Sequence, residues 1–388
     1  GAYACPALRV SALAVSTDLP PMGAFTGLGT GPVAFAVERL AEDLADAAGM
    51  DPFEWRAMNA ARRGDPTFGV PLRKGSPLEA VCGRLLAISD YPRKRSSFEL
   101  IRKRRPDPSS PPGYGIGLAF GPQRPAATLS YRDAQSPSVE VTLSKDSTLT
   151  VRSSVAPGSG SVTRIWKRIA ATALGLQPDA VEIASPSTDG TPDSGPNAFS
   201  RRIGVVTRLI GSACEGLASK RFREALPITI KKTQRARSSR AAPESPLEDS
   251  SWGAAVVEVE LDPVDSSPAV RGIWIVAKAG RLLSPEDAAK ALERDAAVAL
   301  GLCVAECLDL SAGPAEPGDF RRYGLWRAKD APPIRIEFVD DDADPKGIGE
   351  LAYSLVPAAF ANALSQALDS PWNSLPTCRR SEGADRDS

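Results

Sequence analysis

The sequence predicts an α+β protein, and three observations support this class. Short stretches rich in Val, Ile and Leu are typical of strands, whereas longer stretches repeat apolar residues at helical spacing. The two kinds of stretch do not alternate strictly, so mixed sheets with packed helices are favoured over a parallel βαβ array. Apolar residues make up 42% and charged residues 24% of the 388 residues, as in an ordinary globular protein with two or three domains.

The first segment, residues 1–105, is predicted to begin with a strand and to continue with helices. Residues 8–15 have strand-like alternation, and a glycine-rich turn follows at 23–29. A helix is predicted over 33–48, where apolar residues recur every three or four positions. The basic run 102–105 and the proline- and serine-rich residues after it indicate a domain boundary.

The second segment, residues 106–240, is predicted to begin with a meander of four strands, at 114–120, 127–131, 139–143 and 149–153. Helices are predicted over 162–174 and 200–218. The basic stretch 231–237 carries few aromatic residues, which favours an exposed linker over a nucleic-acid patch. In the third segment, residues 241–388, strands are predicted over 254–261 and 270–276. A capped helix is predicted to begin at residue 284, and a long apolar helix is predicted over 351–368.

Composition excludes several classes of function. Lys+Arg and Asp+Glu both number 47, so no net field attracts nucleic acid or a membrane surface, and neither is an expected partner. The chain contains no histidine, which excludes Ser-His-Asp and Cys-His catalysis by its own residues. Its six cysteines form no CxxC pair, so no metal ligands are predicted, and Cys303 and Cys307 are expected to be core thiols on one helix face.

Targeting signals are not recognisable in the sequence. No apolar run reaches the roughly 18 residues of a membrane span, and no signal peptide opens the chain. A cytoplasmic protein is therefore expected. Because the first residue is Gly1, we expect a fragment, a processed chain or a partial gene product.

The loop Gly347-Ile348-Gly349-Glu350 precedes the long apolar helix. Two glycines leave the backbone open to close approach, and a carboxylate follows directly. Such a loop can present one acid to a large buried ligand. A GxGE pattern alone is also compatible with an ordinary turn, so its meaning depends on the other motifs.

Four separated segments resemble the C-terminal part of the molybdenum-binding subunit of the xanthine dehydrogenase and aldehyde oxidase family. They occur in the family's order and are PPMGAFTGLGTGPVAFAVERL, VAPGSGSVTRIWKRIAATALGL, STDGTPDSGPNAFSRRIGVVTRLIGSACEGL and DPKGIGELAYSLVPAAFANALSQAL. The resemblance implies a molybdopterin-binding fold of mixed sheets and packed helices, without the N-terminal half of the subunit. Residues 1–105 would end the first molybdopterin-binding subdomain. Residues 106–240 and 241–388 would form the two halves of the second.

The resemblance also implies chemistry, partners and site residues. Family members hydroxylate aldehydes or N-heterocycles with water as the oxygen source, and they pass electrons to iron–sulfur clusters and FAD, here expected on partner subunits. Glu350 matches the family's catalytic base. Burial in an apolar site would raise the pKa of such a carboxylate toward the working pH. The residues implied in molybdopterin binding are Phe25, Thr26, Gly27, Gly158, Ser159, Gly160, Ala198, Phe199, Ser200 and Arg201.

Several positions depart from the family pattern. Thr26 stands where Arg is usual, and a hydroxyl cannot make a bidentate contact to an anion. Ser159 stands where Gln is usual, and Lys290 and Arg294-Asp295 replace a usual Gln and Gly-Gly. Two hypotheses therefore remain open. In the first hypothesis, the chain is part of a molybdenum hydroxylase that works with a companion chain. In the alternative, the chain is a cofactor-free homologue that acts as a scaffold or assembly subunit.

Overall fold

The computed structural model contains two α+β units, each with a four-stranded sheet. It describes residues 2–18, 23, 26–27, 29–67, 70–105, 107, 110–123, 137–157, 160–193, 201–234, 247, 250–307 and 323–377. The α-helices are α1 (Thr30–Ala47), α2 (Pro52–Asn59), α3 (Leu78–Ser89), α4 (Tyr91–Arg104), α5 (Gly160–Leu174), α6 (Arg201–Lys220), α7 (Pro285–Val304) and α8 (Leu351–Leu368). The strands are β1 (Pro66–Thr67), β2 (Val70–Pro71), β3 (Tyr114–Gln123), β4 (Ser138–Leu143), β5 (Leu149–Arg152), β6 (Val181–Ile183), β7 (Ile228–Thr233), β8 (Ser251–Leu261), β9 (Pro268–Lys278) and β10 (Ile334–Phe338).

The first unit is built on a sheet with the strand order β10-β9-β8-β3. β10 runs parallel to β9, and the other neighbours are antiparallel. α7 and α8 cover one face of this sheet, and α3 covers the other. Because both faces are covered, β3 and β8 are buried along most of their length, as in any sheet enclosed between helices.

Two glycines of β3 set the distance between α8 and the sheet. A Cβ added at Gly115 would lie 1.8 Å from the Ala363 carbonyl oxygen, and one at Gly117 would lie 2.2 Å from the Ala359 carbonyl oxygen. No side chain fits at either position, so the α8 backbone rests directly on the β3 backbone. This close packing fixes the position of the middle of α8, the helix that begins directly after Glu350.

The second unit has the strand order β6-β5-β4-β7, with α5 and α6 packed against it. The Trp166 indole N–H donates to the Thr207 hydroxyl over 2.8 Å and joins α5 to α6. Both units share one connectivity: a hairpin, a helix, a parallel edge strand and a second helix. The sequence is β4-β5-α5-β6-α6 in one unit and β8-β9-α7-β10-α8 in the other.

The α+β prediction is confirmed, but the predicted meander is wrong. β3 pairs with β8 along its whole length, and β4 pairs with β5 and β7. The reason is topological, because the second unit is inserted between β3 and β8. The predicted strand at 127–131 lies outside the described residues.

Two further expectations are corrected. Residues 8–15 are exposed and form no strand, because no strand among the described residues pairs with them. Cys303 is a buried free thiol, as predicted, and burial raises its pKa above the ordinary value. Cys307 lies beyond the end of α7 and is disulfide-bonded, so it is not a core thiol. None of the helices in the described part of the chain could cross a bilayer.

Candidate active site at the start of helix α8

The loop before α8 is fixed against the end of β9 and the start of β8. The Lys346 N–H donates to the Ala279 carbonyl over 2.9 Å, just after β9 ends. The Ser251 hydroxyl donates to the Gly347 carbonyl over 2.6 Å, and the Lys346 ammonium donates to the Ser250 carbonyl over 3.1 Å at the start of β8. The GxGE loop therefore has one position relative to the sheet.

Glu350 is buried at the end of this loop. The residue is only 2% exposed, and its Oε1 atom is inaccessible to solvent. Its backbone N–H donates to Gln123 Oε1 over 2.9 Å, and Gln123 is itself only 3% exposed. The last residue of β3 thus holds the catalytic candidate in place. Burial of a carboxylate removes its water and favours its role as a proton acceptor.

The glycine-rich turn before α1 lies against the first turn of α8. Gly27 and Gly29 have φ values of 84° and 82°, which favour glycine. A Cβ added at Gly31 would lie 3.2 Å from the Tyr353 carbonyl oxygen, and the Thr26 and Tyr353 side chains share a hydrogen bond. The structure therefore brings the Thr26 turn next to the helix that begins after Glu350.

The start of α1 has the character of an anion site. Its N-cap is Gly29, and no side-chain bond caps the helix. A helix start whose N–H groups are not capped attracts negative charge through those groups and through the helix dipole. A Cβ added at Gly29 would have no atom within 4 Å, so the backbone there is open to close approach.

Charged and phenolic groups of α7 and α8 meet beside this turn. Burial raises the pKa of the Tyr353 phenol, the Asp295 carboxylate raises it further, and the Thr26 hydrogen bond acts in the opposite direction. Burial also raises the pKa of Asp295, although its bonds to Arg294 at 2.8 and 2.9 Å oppose the shift. The Arg294-Asp295 pair therefore lies near the candidate site rather than on a remote surface.

The other predicted site residues that the structure describes, Gly160 and Arg201, belong to the second unit. Gly160 begins α5 and Arg201 begins α6, so each stands at a helix start, as Glu350 does. Six of the predicted residues lie outside the described part of the chain: Phe25, Gly158, Ser159, Ala198, Phe199 and Ser200. The second unit contacts the first near the start of α7, where Arg164 pairs with Asp287 over 2.7 Å and Arg168 donates to the Leu283 carbonyl.

Sequence reasoning missed Gln123 and Tyr353. Gln123 ends a strand far from Glu350 in the sequence, and only the pairing of β3 with β8 brings the two together. Tyr353 follows Glu350 by three residues and thus lies one helical turn further along. That spacing was a signal in the sequence, because residues one turn apart share a helix face.

Comparisons with known proteins identify the class of this chain. Residues 1–60 and 86–227 match two families, each described as a molybdopterin cofactor-binding domain. A Bacillus subtilis protein assigned as a xanthine dehydrogenase subunit is 24% identical over 98% of this chain and 55% of its own length. The xanthine dehydrogenase molybdenum-binding subunit of Escherichia coli O157:H7 is 25% identical over 93% of this chain and 53% of its own.

The fold agrees with this class. The aldehyde oxidoreductase structure from Desulfovibrio gigas superposes with a TM-score of 0.72 at 23% identity and covers 91% of this chain and 40% of that chain. This chain belongs to the xanthine dehydrogenase and aldehyde oxidase family of molybdenum hydroxylases. It spans about half the length of the curated relatives it matches.

The described residues fit part of a molybdopterin site. The open start of α1 suits an anionic group, and Glu350 supplies one buried carboxylate at the neighbouring helix start. Of the residues predicted from the sequence to hold the cofactor, the structure describes Thr26 and Gly27 in the first unit and the backbone of Gly160 and Arg201 in the second. When bound, the cofactor would supply the two-electron redox chemistry that no side chain provides.

Replacing Gln123 with leucine should loosen the loop that carries Glu350. The change removes the acceptor of a buried N–H, which costs about 1–3 kcal/mol. We expect a lower free energy of unfolding and faster hydrogen exchange at residues 347–350. Gln177→Leu, at an exposed position, is the matched control. Unchanged exchange in Gln123→Leu would show that the loop is held by its other contacts alone.

Proposed function

We propose that this chain is part of a molybdopterin-dependent hydroxylase and that Glu350 is its base. The observation that carries the proposal is the burial of Glu350 at the start of α8, beside the turn of Thr26 and Gly27. Gln123 fixes the backbone of Glu350. A base held in one position needs no reorganisation when it accepts a proton.

Each described residue has a separate task in this proposal. Glu350 would take the proton released as an oxygen atom from water is transferred to the substrate carbon. Burial of Glu350 keeps bulk water from its carboxylate. Thr26 and Tyr353 would line the approach to Glu350, because their hydrogen bond lies one turn beyond it.

The substrate class that fits is an aldehyde or an N-heterocycle. The relatives reported above are named for xanthine and for aldehydes, and both have an electron-poor carbon that can accept oxygen. The Thr26 hydroxyl would offer one neutral hydrogen bond rather than a charged fork.

The working enzyme would contain more polypeptide than this chain. The relatives are nearly twice as long as the region matched here, so polypeptide beyond the matched region would complete the cofactor site. Iron–sulfur and FAD partners would accept the electrons. The alternative, a cofactor-free scaffold, is favoured by Thr26 and by Lys290, whose ammonium pairs with Glu286 over 2.6 Å on an exposed helix face.

The proposed function is tested with the complex purified from its native source. Aldehydes and N-heterocycles are supplied with an artificial electron acceptor in water enriched in ¹⁸O. Incorporation of ¹⁸O into the oxidised product is the expected result. A complex that holds the cofactor but turns over none of these substrates contradicts the proposed substrate class. A complex without cofactor supports the scaffold alternative.

Replacing Thr26 with arginine should increase cofactor retention. Thr26 is exposed, so a longer side chain has room, and a guanidinium can bind an anion through two parallel bonds. The molybdenum that remains after dialysis is compared with that in the parent complex and in Thr172→Arg, which places the same charge on the exposed side of α5. Equal retention in all three would show that position 26 does not limit binding.

A further inference from the structure

Strand β10 forms one edge of the first sheet, and among the described residues β9 is its single neighbouring strand. The Ile273 N–H donates to the Pro333 carbonyl over 3.0 Å, and the Val339 N–H donates to the Ala277 carbonyl over 2.9 Å. Alternate residues of a strand direct their backbone groups to opposite sides. Three residues of β10 therefore direct their N–H and C=O groups away from β9. These are Ile334, Ile336 and Phe338.

The opposite edge of the same sheet is closed by side chains. This edge is β3, whose Phe120 N–H donates to the Glu38 carboxylate over 3.0 Å. The Ile116 N–H donates to Gln366 Oε1 over 2.9 Å. An edge with its backbone groups bonded in this way offers no place for another strand. The outer edge of β10 differs, and such an edge can receive a further strand by β-augmentation.

The sequence of β10 is complementary to itself about Ile336. In an antiparallel pair of two copies with Ile336 on the twofold axis, Arg335 of each copy lies directly opposite Glu337 of the other. This is a non-hydrogen-bonded position, where facing side chains are closest. On the other face Ile334 lies opposite Phe338. Opposite charges and apolar side chains that face each other in this way stabilise an antiparallel pair, whereas like charges destabilise it.

The side chains of β10 can make these contacts from where they lie. Arg335 and Arg84 donate to Glu337 over 2.7 and 2.6 Å on the face that carries α3. Both arginine side chains are more than half exposed, so each is accessible to the carboxylate of a second copy. The apolar residues of β10 pack against the core on the other face and are half-buried. A second copy would cover part of their remaining surface.

The segments that flank β10 differ in charge. Arg327 and Lys329 precede the strand and are exposed, and Asp330 pairs with Arg327 over 2.7 Å. Residues 340–344 follow the strand and include four aspartates. Antiparallel pairing brings the acidic end of one copy to the basic end of the other. Parallel pairing would bring the two acidic ends together, which is unfavourable.

We infer that the outer edge of β10 is a docking surface for a second copy of this chain. The two β10 strands pair antiparallel about Ile336 and join the two sheets into one. Such an interface is isologous, because the same residues contribute from both copies. The inference goes beyond the proposed function and does not depend on it, since it rests on a sheet edge and not on Glu350.

The test co-expresses two differently tagged full-length copies in the native host and captures the complex through one tag. Parent copies should be recovered together. Arg335→Glu in both copies places like charges opposite each other, and Glu337→Arg in both copies does the same. Each change should lower recovery of the second tag by about tenfold or more. Arg271→Glu, at a similarly exposed position on β9, should leave recovery unchanged.

A mixed pair distinguishes loss of this interface from a folding defect. One copy carries Arg335→Glu and the other carries Glu337→Arg, so opposite charges again face each other at both positions. Recovery should return close to the parent level. Three results would overturn the inference: parent copies that are not recovered together, single variants that pair as the parent does, or a mixed pair that stays apart.

Discussion

Replacing Glu350 with glutamine should lower turnover by about 10²- to 10⁴-fold, the usual contribution of a general base. Glutamine has nearly the same size as glutamate, and the hydrogen bond from the backbone N–H of residue 350 to Gln123 Oε1 is retained. It cannot hold the proton that a carboxylate takes. Molybdenum and pterin content should therefore stay at the level of the parent complex while kcat falls.

Two controls make this result specific. Glu260→Gln changes a carboxylate at the opposite end of β8, where it pairs with Arg271 over 2.6 Å; turnover should be unaffected. Glu350→Asp retains a carboxylate but withdraws it by one methylene, so an intermediate rate is expected. Normal turnover in Glu350→Gln would remove the proposed role of Glu350, whatever the metal content.

Gly117→Ala should destabilise the first unit strongly. The new Cβ would lie 2.2 Å from the Ala359 carbonyl oxygen and 2.3 Å from the Ala363 N atom. These are backbone atoms, so no side-chain rotation can relieve the clash, and α8 must move away from β3. Overpacking of this kind costs about 3 kcal/mol or more. We expect a fall in Tm of about 6–12 °C or more, or loss of soluble protein.

The same strand offers a matched control. A Cβ added at Gly121 would meet its nearest atom, Leu355 Cδ2, at 3.8 Å, which is ordinary van der Waals contact. Gly121→Ala should therefore unfold at nearly the parent temperature. Equal Tm values for Gly117→Ala and Gly121→Ala would show that α8 does not rest on β3 as closely as described.

The helices α1, α5, α6, α7 and α8 were predictable from the sequence because apolar periodicity is a local signal, whereas α3 and α4 were not predicted. The helix predicted over 351–368 has these bounds in the structure, and those predicted over 162–174 and 200–218 differ only near their ends. Strand pairing is not local. The partner of β3 is β8, on the other side of the inserted second unit in the sequence. The periodicity within either strand does not indicate which strand is its partner.

The candidate site was predictable in part. Glu350 and Thr26 stand in motifs that resemble a known family. In the structure Glu350 is the N-cap residue of α8, and Thr26 is hydrogen-bonded to Tyr353 in the first turn of that helix. Gln123 carries no motif, because its role comes from the position of a strand end in space. The role of Gly117 was likewise hidden. A glycine in a strand indicates a close approach only when the packed helix is known.

The exposed face of α1 shows a different limit. The sequence predicts an amphipathic helix over 33–48 but does not tell which face is buried. The structure turns Glu38 and Glu42 inward against Arg56 and leaves Val37 and Leu40 outside. Polarity alone would have predicted the reverse. The surrounding polar network, and not the apolar stripe, decides the orientation within this chain.

The most direct test of the proposed function is the molybdenum and pterin content per chain in the complex purified from its native source. Near-stoichiometric molybdenum and pterin are expected, because the start of α1 and Glu350 fit a molybdopterin site. The absence of both from the folded protein in its native complex would contradict the proposed function. Such a chain would be a family member that keeps the fold for assembly and not for hydroxylation.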